Sequence, residues 1–309
     1  MKVLITGGAG YIGMALTYKL LQNESITEVV VYDSLVTGRS NILFDSTLQT
    51  KRFRFIQGEL LDTRSLQELI DEVEIVYHLA ARVVMPLSNF GAHQFGQVNV
   101  WGTAELSYLI EASTSVKKVI YLSSSTVYGF TENPKTEKEQ AIPISFYAKS
   151  KLLSEGYLER LKNKKEVVIL RCGNVFGYCP SMRLDSIIND LVYDILFKKK
   201  VSVEGDGTQM YSFVSIDGIT EILDKALSVD IGEASVIQNA VIWNLSIKSV
   251  LNAMREFVPD FEVVYITRNV IQQHIMGAIN HDLNDLIDDK YKDFDGELKK
   301  LVQSFSKEI

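Results

Sequence analysis

Cysteine is scarce in this 309-residue chain: only Cys172 and Cys179 occur, seven positions apart and without CxxC spacing. That excludes a disulfide framework and leaves no zinc signature. Histidine is nearly as rare, and His78, His93, His274 and His281 form no HExxH or close ligand pair, so no metal is expected. No apolar run approaches the roughly 18 residues of a membrane span. The stretch Met1 to Thr6 is too short for the apolar core of a signal peptide before glycines interrupt it. A cytoplasmic protein with no membrane partner is therefore expected. Positive charge is in deficit, 32 Lys+Arg against 39 Asp+Glu giving −7, so the basic face that nucleic-acid binding needs is missing. Internal repeats, low-complexity tracts and long linkers are also lacking.

What is present is ordinary globular composition, 46% hydrophobic and 23% charged, with length for about two lobes. Short apolar, β-branched runs at Lys2 to Thr6, Glu28 to Tyr32, Phe53 to Gln57, Glu74 to His78, Lys118 to Ser123 and Glu166 to Arg171 read as six strands. Between them apolar residues recur at three and four spacing, as in Ile12, Leu16, Leu20 and Leu21. Strands too continuously apolar to have a wet face, separated by helices, imply a doubly wound parallel α/β sheet covered on both sides. After Arg171 the rhythm changes to a loop at Gly173 to Pro180, a helix from about Asp185 to Phe197 and the turn Glu204-Gly205-Asp206-Gly207. This reads as a smaller mixed α/β substrate lobe. Residues 1–172 form the expected nucleotide lobe, rejoined by about 213–245, where Ile216 to Ser228 reads as helix and Val241 to Leu245 as strand. Residues 173–212 and 246–309 form the smaller lobe.

The first strand runs directly into Gly7-Gly8-Ala9-Gly10-Tyr11-Ile12-Gly13, which opens a helix. Glycines are needed where the backbone turns tightly, approaches a pyrophosphate and lets helix pack on strand, while the helix N-terminus supplies N–H donors. Gly7, Gly10 and Gly13 take those roles in a Rossmann-type dinucleotide site, with Tyr11 and Ile12 in the same loop. Asp33, twenty residues beyond Gly13, ends the second strand, where a carboxylate accepts the adenosine ribose hydroxyls and repels a 2′-phosphate. NAD is favoured over NADP, although Arg39 nearby leaves a route to the phosphate.

Tyr147 and Lys151 stand four apart at the start of a predicted helix, so both project from one face. A phenol has a reference pKa of about 10 and serves as a base near neutrality only if its anion is stabilised, which a neighbouring ammonium does. Ser123-Ser124-Ser125-Thr126-Val127-Tyr128-Gly129 lies at the C-terminal end of a buried strand, the edge where open α/β sheets bind ligands. A hydroxyl there can complete a proton path with the tyrosine.

With Gly58-Glu59-Leu60-Leu61-Asp62, His78-Leu79-Ala80-Ala81, Asn99-Val100-Trp101-Gly102-Thr103, YAKSK and Leu170 to Gly177, the chain resembles the extended short-chain dehydrogenase/reductases, in particular the NAD-dependent sugar-nucleotide epimerase/dehydratase group. The resemblance implies that Glu59 and Leu60 flank the adenine, that Leu79, Ala80 and Ala81 line the cofactor, and that Asn99 supports the nicotinamide end. It makes Ser124 the catalytic hydroxyl, Tyr147 the base and Lys151 its partner and ribose ligand. The implied reaction is transient oxidation of a nucleotide-linked sugar, most simply at C4, ending in epimerisation or, if the keto-sugar leaves, in dehydrogenation. Dehydration is disfavoured because Ser125 and Thr126 stand where an acid pair is needed. Against the resemblance, Tyr211 replaces an expected phosphate-binding arginine, Glu204 stands where an aromatic or apolar residue often packs near the base, and the later Arg-Pro-Gly-Asp segment is not evident, although Arg268 stands in roughly that region. Those departures leave a non-catalytic NAD-binding sensor as an alternative. The stretch Cys179 to Asp185 looks like a subgroup motif, some of whose members take GDP-linked sugars. Its Arg183 is read as a phosphate contact or an ion-pair partner, and Asn174 and Asn189 as substrate contacts by position. The resemblance also implies a homodimer formed by the helix after Asn99 and the helix bearing Tyr147, with Leu106, Leu109 and Ile110 at helical spacing.

Overall fold

The computed structural model describes residues 1–83, 92–228, 237–266 and 274–306; Arg268 lies outside them. The strands are β1 (Lys2–Thr6), β2 (Glu28–Asp33), β3 (Phe53–Gln57), β4 (Ile75–His78), β5 (Lys118–Ser124), β6 (Glu166–Cys172), β7 (Asn174–Phe176), β8 (Lys200–Glu204), β9 (Met210–Ser215), β10 (Ile237–Ala240), β11 (Trp243–Ser246) and β12 (Glu262–Ile266). Seven of them form one sheet in the order β10-β6-β5-β4-β1-β2-β3, with every pairing parallel.

Alternation along the strands explains why they read as continuous apolar runs. Val3, Ile5, Val29, Val31, Ile120, Leu122, Val168 and Leu170 face one core. Their neighbours Leu4, Val30, Val119, Tyr121 and Ile169 face the other. Both faces are covered, so neither position of the two-residue period is polar. The helix Ile216–Ser228 contributes Ile219, Ile222 and Leu223 to the first core, beside Met14, Leu16 and Leu20 of the helix Tyr11–Gln22.

The chain order reverses at β1, with β2 and β3 on one side and β4 to β6 on the other. In open parallel sheets this opens a crevice at the carboxyl ends of the strands. A small sheet, β11-β9-β7, and the parallel pair β12-β8 surround a third core around Phe176, Val192, Phe213 and Met254.

Two elements depart from expectation. The strand expected over Val241 to Leu245 begins two residues late, as β11, and runs antiparallel to β9 in the small sheet; the strand that rejoins the large sheet is β10 just before it, paired with β6. The buried Val241 and Ile242, which belong to neither strand, carry the chain from one sheet to the other. The helix expected from Asp185 covers only Ile187–Tyr193 and then widens into a π-type turn, Asp194–Lys198, that ends at Lys199 with φ 53°. It starts after Ser186, whose backbone is extended, while Asp185 is held in a two-pronged ion pair by Arg183.

Candidate active site

The glycine loop is shaped by backbone contacts. Gly7 has φ 76°, and a Cβ there would lie 2.5 Å from the Ala80 nitrogen. A Cβ on Gly13 would lie 2.4 Å from the Gly7 carbonyl oxygen, so neither position accepts a side chain. The Gly10 N–H donates to the Gly7 carbonyl at 3.1 Å. The following helix starts at Gly10 without a side-chain cap, which leaves its first N–H groups for an anionic ligand. Asp33 ends β2 beside the loop, accepting from the Ala9 N–H at 3.0 Å and the Leu35 N–H at 2.8 Å. Burial raises its carboxyl above the usual range, and these two bonds oppose the rise.

Gly7, Gly10, Tyr11, Ile12, Gly13, Asp33, Glu59, Leu60, Leu79, Ala80 and Ala81 all line one cleft. The Glu59 loop is tied down by the Tyr32 hydroxyl, which donates to the Glu59 carbonyl at 2.9 Å. The Leu79 N–H donates to the Thr6 carbonyl at 3.0 Å, bringing the turn after β4 alongside the glycine loop. A cradle closed to any Cβ, an uncapped helix start and a carboxylate at its mouth fit NAD: the loop would hold the pyrophosphate and Asp33 the ribose.

The same cleft is lined at its other end by Ser124, Tyr147 and Lys151. Ser124 is the last residue of β5. Its Oγ accepts from the Thr126 hydroxyl at 2.9 Å and the Thr126 N–H at 3.3 Å, so its own proton is directed to a third partner. Tyr147 lies in the first turn of the helix Phe146–Glu159, capped by Ser145, whose hydroxyl accepts from the Ala148 N–H at 3.1 Å. Lys151 follows one turn later, buried, with its ammonium 4.4 Å from the centre of the Tyr121 ring.

Burial pushes the Tyr147 phenol up to about 12, while the Arg183 guanidinium and the Ser124 hydroxyl pull it down. Burial also pushes Lys151 down to about 7 against the raising charge of Glu155. Neither group is poised by the protein alone. A ligand that brings positive charge to the phenol would complete the pair.

His78 shows the opposite arrangement. Its two ring nitrogens meet the Thr6 and Thr103 hydroxyls, each at 2.8 Å, and burial pushes it down to about 3. It is a neutral structural histidine beneath the site.

Two expected site residues are not brought to the cleft wall. Asn99 is buried in a π-helical turn, Phe95–Trp101. It clamps the Arg82 backbone from both sides, accepting from its N–H at 2.7 Å and donating to its carbonyl at 3.0 Å, and also donates to the Ser150 hydroxyl at 2.9 Å. It therefore joins the turn after β4 to the Tyr147 helix, a support of the kind expected but an indirect one. Asn189, expected as a substrate contact, is fully buried. Its carbonyl accepts from the Gly177 N–H at 3.0 Å and its amide donates to the Arg183 carbonyl at 2.9 Å, so its polar atoms are spent bracing the loop that carries Arg183.

Asn174 and Arg183 do line the cleft. Asn174 donates to the Ser212 carbonyl at 3.1 Å, and Arg183 pairs with Asp185 at 3.0 and 2.6 Å. The ion-pair reading of Arg183 is the one the geometry shows. Tyr211 turns inward, its ring 6.5 Å from that of Phe213. The sequence reading missed Thr126 as the donor to Ser124, although it stands in the SSSTVYG run. Among the described residues no group of three or more His, Cys, Asp or Glu could hold a metal ion, and no helix is long and apolar enough to cross a membrane.

A sequence model of the NAD dependent epimerase/dehydratase family matches residues 3–238. The chain is 31% identical over 236 residues, 73% of each protein, to an uncharacterized UDP-glucose epimerase of Bacillus subtilis. It is 29% identical over 245 residues to the dTDP-D-glucose 4,6-dehydratase of Mus musculus, covering 77% of this chain and 67% of the relative. Its fold matches a UDP-glucuronic acid 4-epimerase of Bacillus cereus, solved with UDP-glucuronic acid and NAD, at TM-score 0.85 and 25% identity over 100% of both chains. A UDP-N-acetylglucosamine 4-epimerase of Methanobrevibacter ruminantium M1 matches at TM-score 0.86 and 25% identity, covering 100% of this chain and 99% of the other. The dinucleotide cradle, the Ser, Tyr and Lys gathered at its far end and these matches agree: the chain belongs to the NAD-dependent epimerase/dehydratase family of enzymes.

Proposed function

We propose that this protein is an NAD-dependent epimerase of a nucleoside-diphosphate sugar, acting by transient oxidation at C4. The observation that carries the reading is the convergence of Ser124, Tyr147 and Lys151 in the cleft that holds the glycine loop and Asp33. Bound NAD supplies a reversible acceptor for hydride. Tyr147 takes the proton of the sugar hydroxyl as its carbon is oxidised and returns it after the keto-sugar has turned over. Ser124 donates its free proton to the same oxygen. Lys151 holds positive charge beside the phenol and binds the nicotinamide ribose.

Net epimerisation is preferred to dehydration because no carboxyl group follows Ser124. Ser125 is buried, and the Thr126 hydroxyl is committed to Ser124. In this reading the lobe built on the seven-stranded sheet binds NAD, and the smaller lobe binds the nucleotide, with Asn174 and Arg183 facing it. UDP is the first nucleotide to test, since the epimerases matched above act on UDP-sugars. The inward-turned Tyr211 leaves Arg183 as a guanidinium on the cleft wall able to pair a phosphate.

The test is to denature freshly purified protein, identify the nucleotide it releases, and assay UDP-, GDP-, CDP- and dTDP-sugars without added cofactor. NAD or NADH is expected near one per chain, with epimer formation and no net NAD consumption. Stoichiometric NADH with a free keto product establishes the dehydrogenase instead. Firm NAD binding with no turnover of any sugar establishes the sensor, and released NADP overturns the reading of Asp33.

We also propose a cytoplasmic homodimer. Leu106 and Ile110, whose helical spacing is more often that of a core than of an interface, are fully buried against the large sheet, as the helix needs that stripe for its own core. The apolar residues left exposed are Trp101 and Tyr108 on one side and Phe146 and Leu153 on the neighbouring Tyr147 helix. Arg160 joins the two helices, donating to Glu111 and to the Ser107 hydroxyl. A second copy of this surface is the proposed cover. Tyr108→Glu with Leu153→Glu is expected to convert a dimer to a monomer in sedimentation velocity at micromolar concentration. A monomeric wild-type protein under those conditions overturns the assignment. Two buried free thiols suit a reducing compartment.

A further inference from the structure

Directly behind the cleft lies an ion pair that the proposed reaction does not use. Glu155 is on the Tyr147 helix, one turn beyond Lys151 and two beyond Tyr147, and is 2% exposed; Arg171 is on β6 and is 4% exposed. The Arg171 Nη2 donates to Glu155 Oε2 at 2.7 Å, and its Nε lies 3.1 and 3.3 Å from the two carboxylate oxygens. The same carboxylate accepts from the hydroxyl of Ser123, the residue on β5 immediately before Ser124. In the sheet Ser123 stands opposite Arg171 and Ser124 opposite Cys172. The guanidinium then lies over the Tyr128 ring, 4.9 Å from its centre, and the Tyr128 hydroxyl donates to Asn239 on β10 at 2.8 Å.

Such a pair is a poor source of stability. Two charges lose their water on burial, and apolar residues of similar volume serve the core as well or better. The Nη1 of Arg171 is left buried without a hydrogen-bond partner, which adds to the cost. What apolar residues could not do is hold three elements in one directional geometry. The carboxylate has one partner on β5 beside Ser124, one on β6, and its own backbone on the helix that carries Tyr147 and Lys151. The two halves of the candidate proton path come from different elements, and this carboxylate bonds across the gap between them.

We propose that Glu155 is a positioning residue for the reaction, its carboxylate fixing Ser124 against Tyr147 and Lys151 through Ser123 and Arg171. The role rests on the epimerase reading of the cleft. A displacement of about 1 Å at reacting groups costs on the order of 100-fold in rate, so the pair matters to kcat and not to ligand binding, since neither side chain lines the cleft.

The experiment compares Ser123→Ala, Glu155→Gln and the double variant Glu155→Gln with Arg171→Met. Glu155→Gln alone leaves a buried guanidinium unpaired and is expected to melt earlier; the double variant removes that charge and recovers the melting temperature. The expected result is a kcat lowered on the order of 100-fold in both Glu155 variants, and a smaller loss in Ser123→Ala. In the Glu155 variants, KM for the nucleotide sugar and retained NAD stay as in wild type. Recovery of kcat together with melting temperature in the double variant overturns the proposal, as does wild-type kcat in Ser123→Ala. Wild-type protein that turns over no nucleotide sugar signals failure of the epimerase reading instead. Positioning is then decided by the crystal structure of the double variant, where an unchanged Ser124 Oγ to Tyr147 Oη separation overturns it.

Discussion

Tyr147→Phe is expected to lower turnover of the nucleotide sugar by about 10³- to 10⁴-fold, near the upper end of what a positioned general acid or base contributes, with NAD still bound. The large loss follows from what the phenol alone can do. Oxidation of a carbinol carbon requires its hydroxyl proton to leave as hydride leaves. In the cleft Ser124 donates and does not accept a second proton, because its oxygen already takes two hydrogen bonds from Thr126. Lys151 is four residues on, in the site to carry positive charge, and His78 is sealed beneath the sheet edge with both nitrogens engaged. Phenylalanine keeps the ring, which meets Phe95 edge-on at 6.1 Å, and leaves the glycine loop and Asp33 untouched. The nucleotide released on denaturation should therefore match wild type while initial rates collapse. A loss below about tenfold, outside the range for a general base, removes Tyr147 from that role and the C4 epimerase reading with it.

The features of this site that were legible in the sequence are those whose cause is local. The glycine loop is dictated by backbone that passes within Cβ distance of Ala80 and of itself, so its residues can be read without any partner being known. Five of the first six strands are legible because both their faces are buried, and a short, continuously apolar run bounded by turn residues marks a strand covered on both sides; the edge strand β3 is only half-buried. Their bounds shift by at most a residue, as where β6 extends to Cys172 and β5 to Ser124. Features whose cause is distant were not legible. Glu155 is an ordinary helix residue until Arg171, sixteen positions on, arrives beside it. Asn189 has a side chain suited to a sugar and a position near the motif, yet the Gly177 N–H and the Arg183 carbonyl claim it. Leu106 and Ile110 have the spacing of an interface and the same spacing as a core stripe; only the packing of their helix on the sheet separates the two. That Ile237–Ala240 rejoins the large sheet while Trp243–Ser246 enters the small one has no local signal, since the difference lies in what each strand pairs with.

Lys151→Met is expected to abolish most turnover and at the same time to raise the melting temperature of the NAD-free protein at neutral pH. The second effect distinguishes a group held for function from one held for stability. Burial lowers the lysine from 10.5 in the unfolded chain to about 7 in the folded one. Between those two values the unfolded chain holds a proton that the folded chain has released, so the wild-type protein gains stability as pH rises through that window. Below pH 7 both states are protonated and folding bears the whole cost of burying the ammonium, an upper bound of about 5 kcal/mol at 1.36 kcal/mol per unit. Methionine fills the same space above the Tyr121 ring without charge, and forgoes a cation–π contact of about 1 to 2 kcal/mol. Its advantage should therefore be largest at and below pH 7 and shrink toward pH 10.5. Added NAD should narrow it as well, because a ligand that binds the folded wild type more tightly than a variant lacking the lysine contact stabilises the wild type more by mass action. Thermal melts of both proteins at pH 7 and pH 10, each with and without NAD, give the comparison. A variant that melts below wild type at pH 7, or a gap indifferent to pH, would mean that the ammonium already has a counter-charge in the empty cleft. The reason for placing it there would then be structural, and Tyr147 would need another source of the charge that makes it a base.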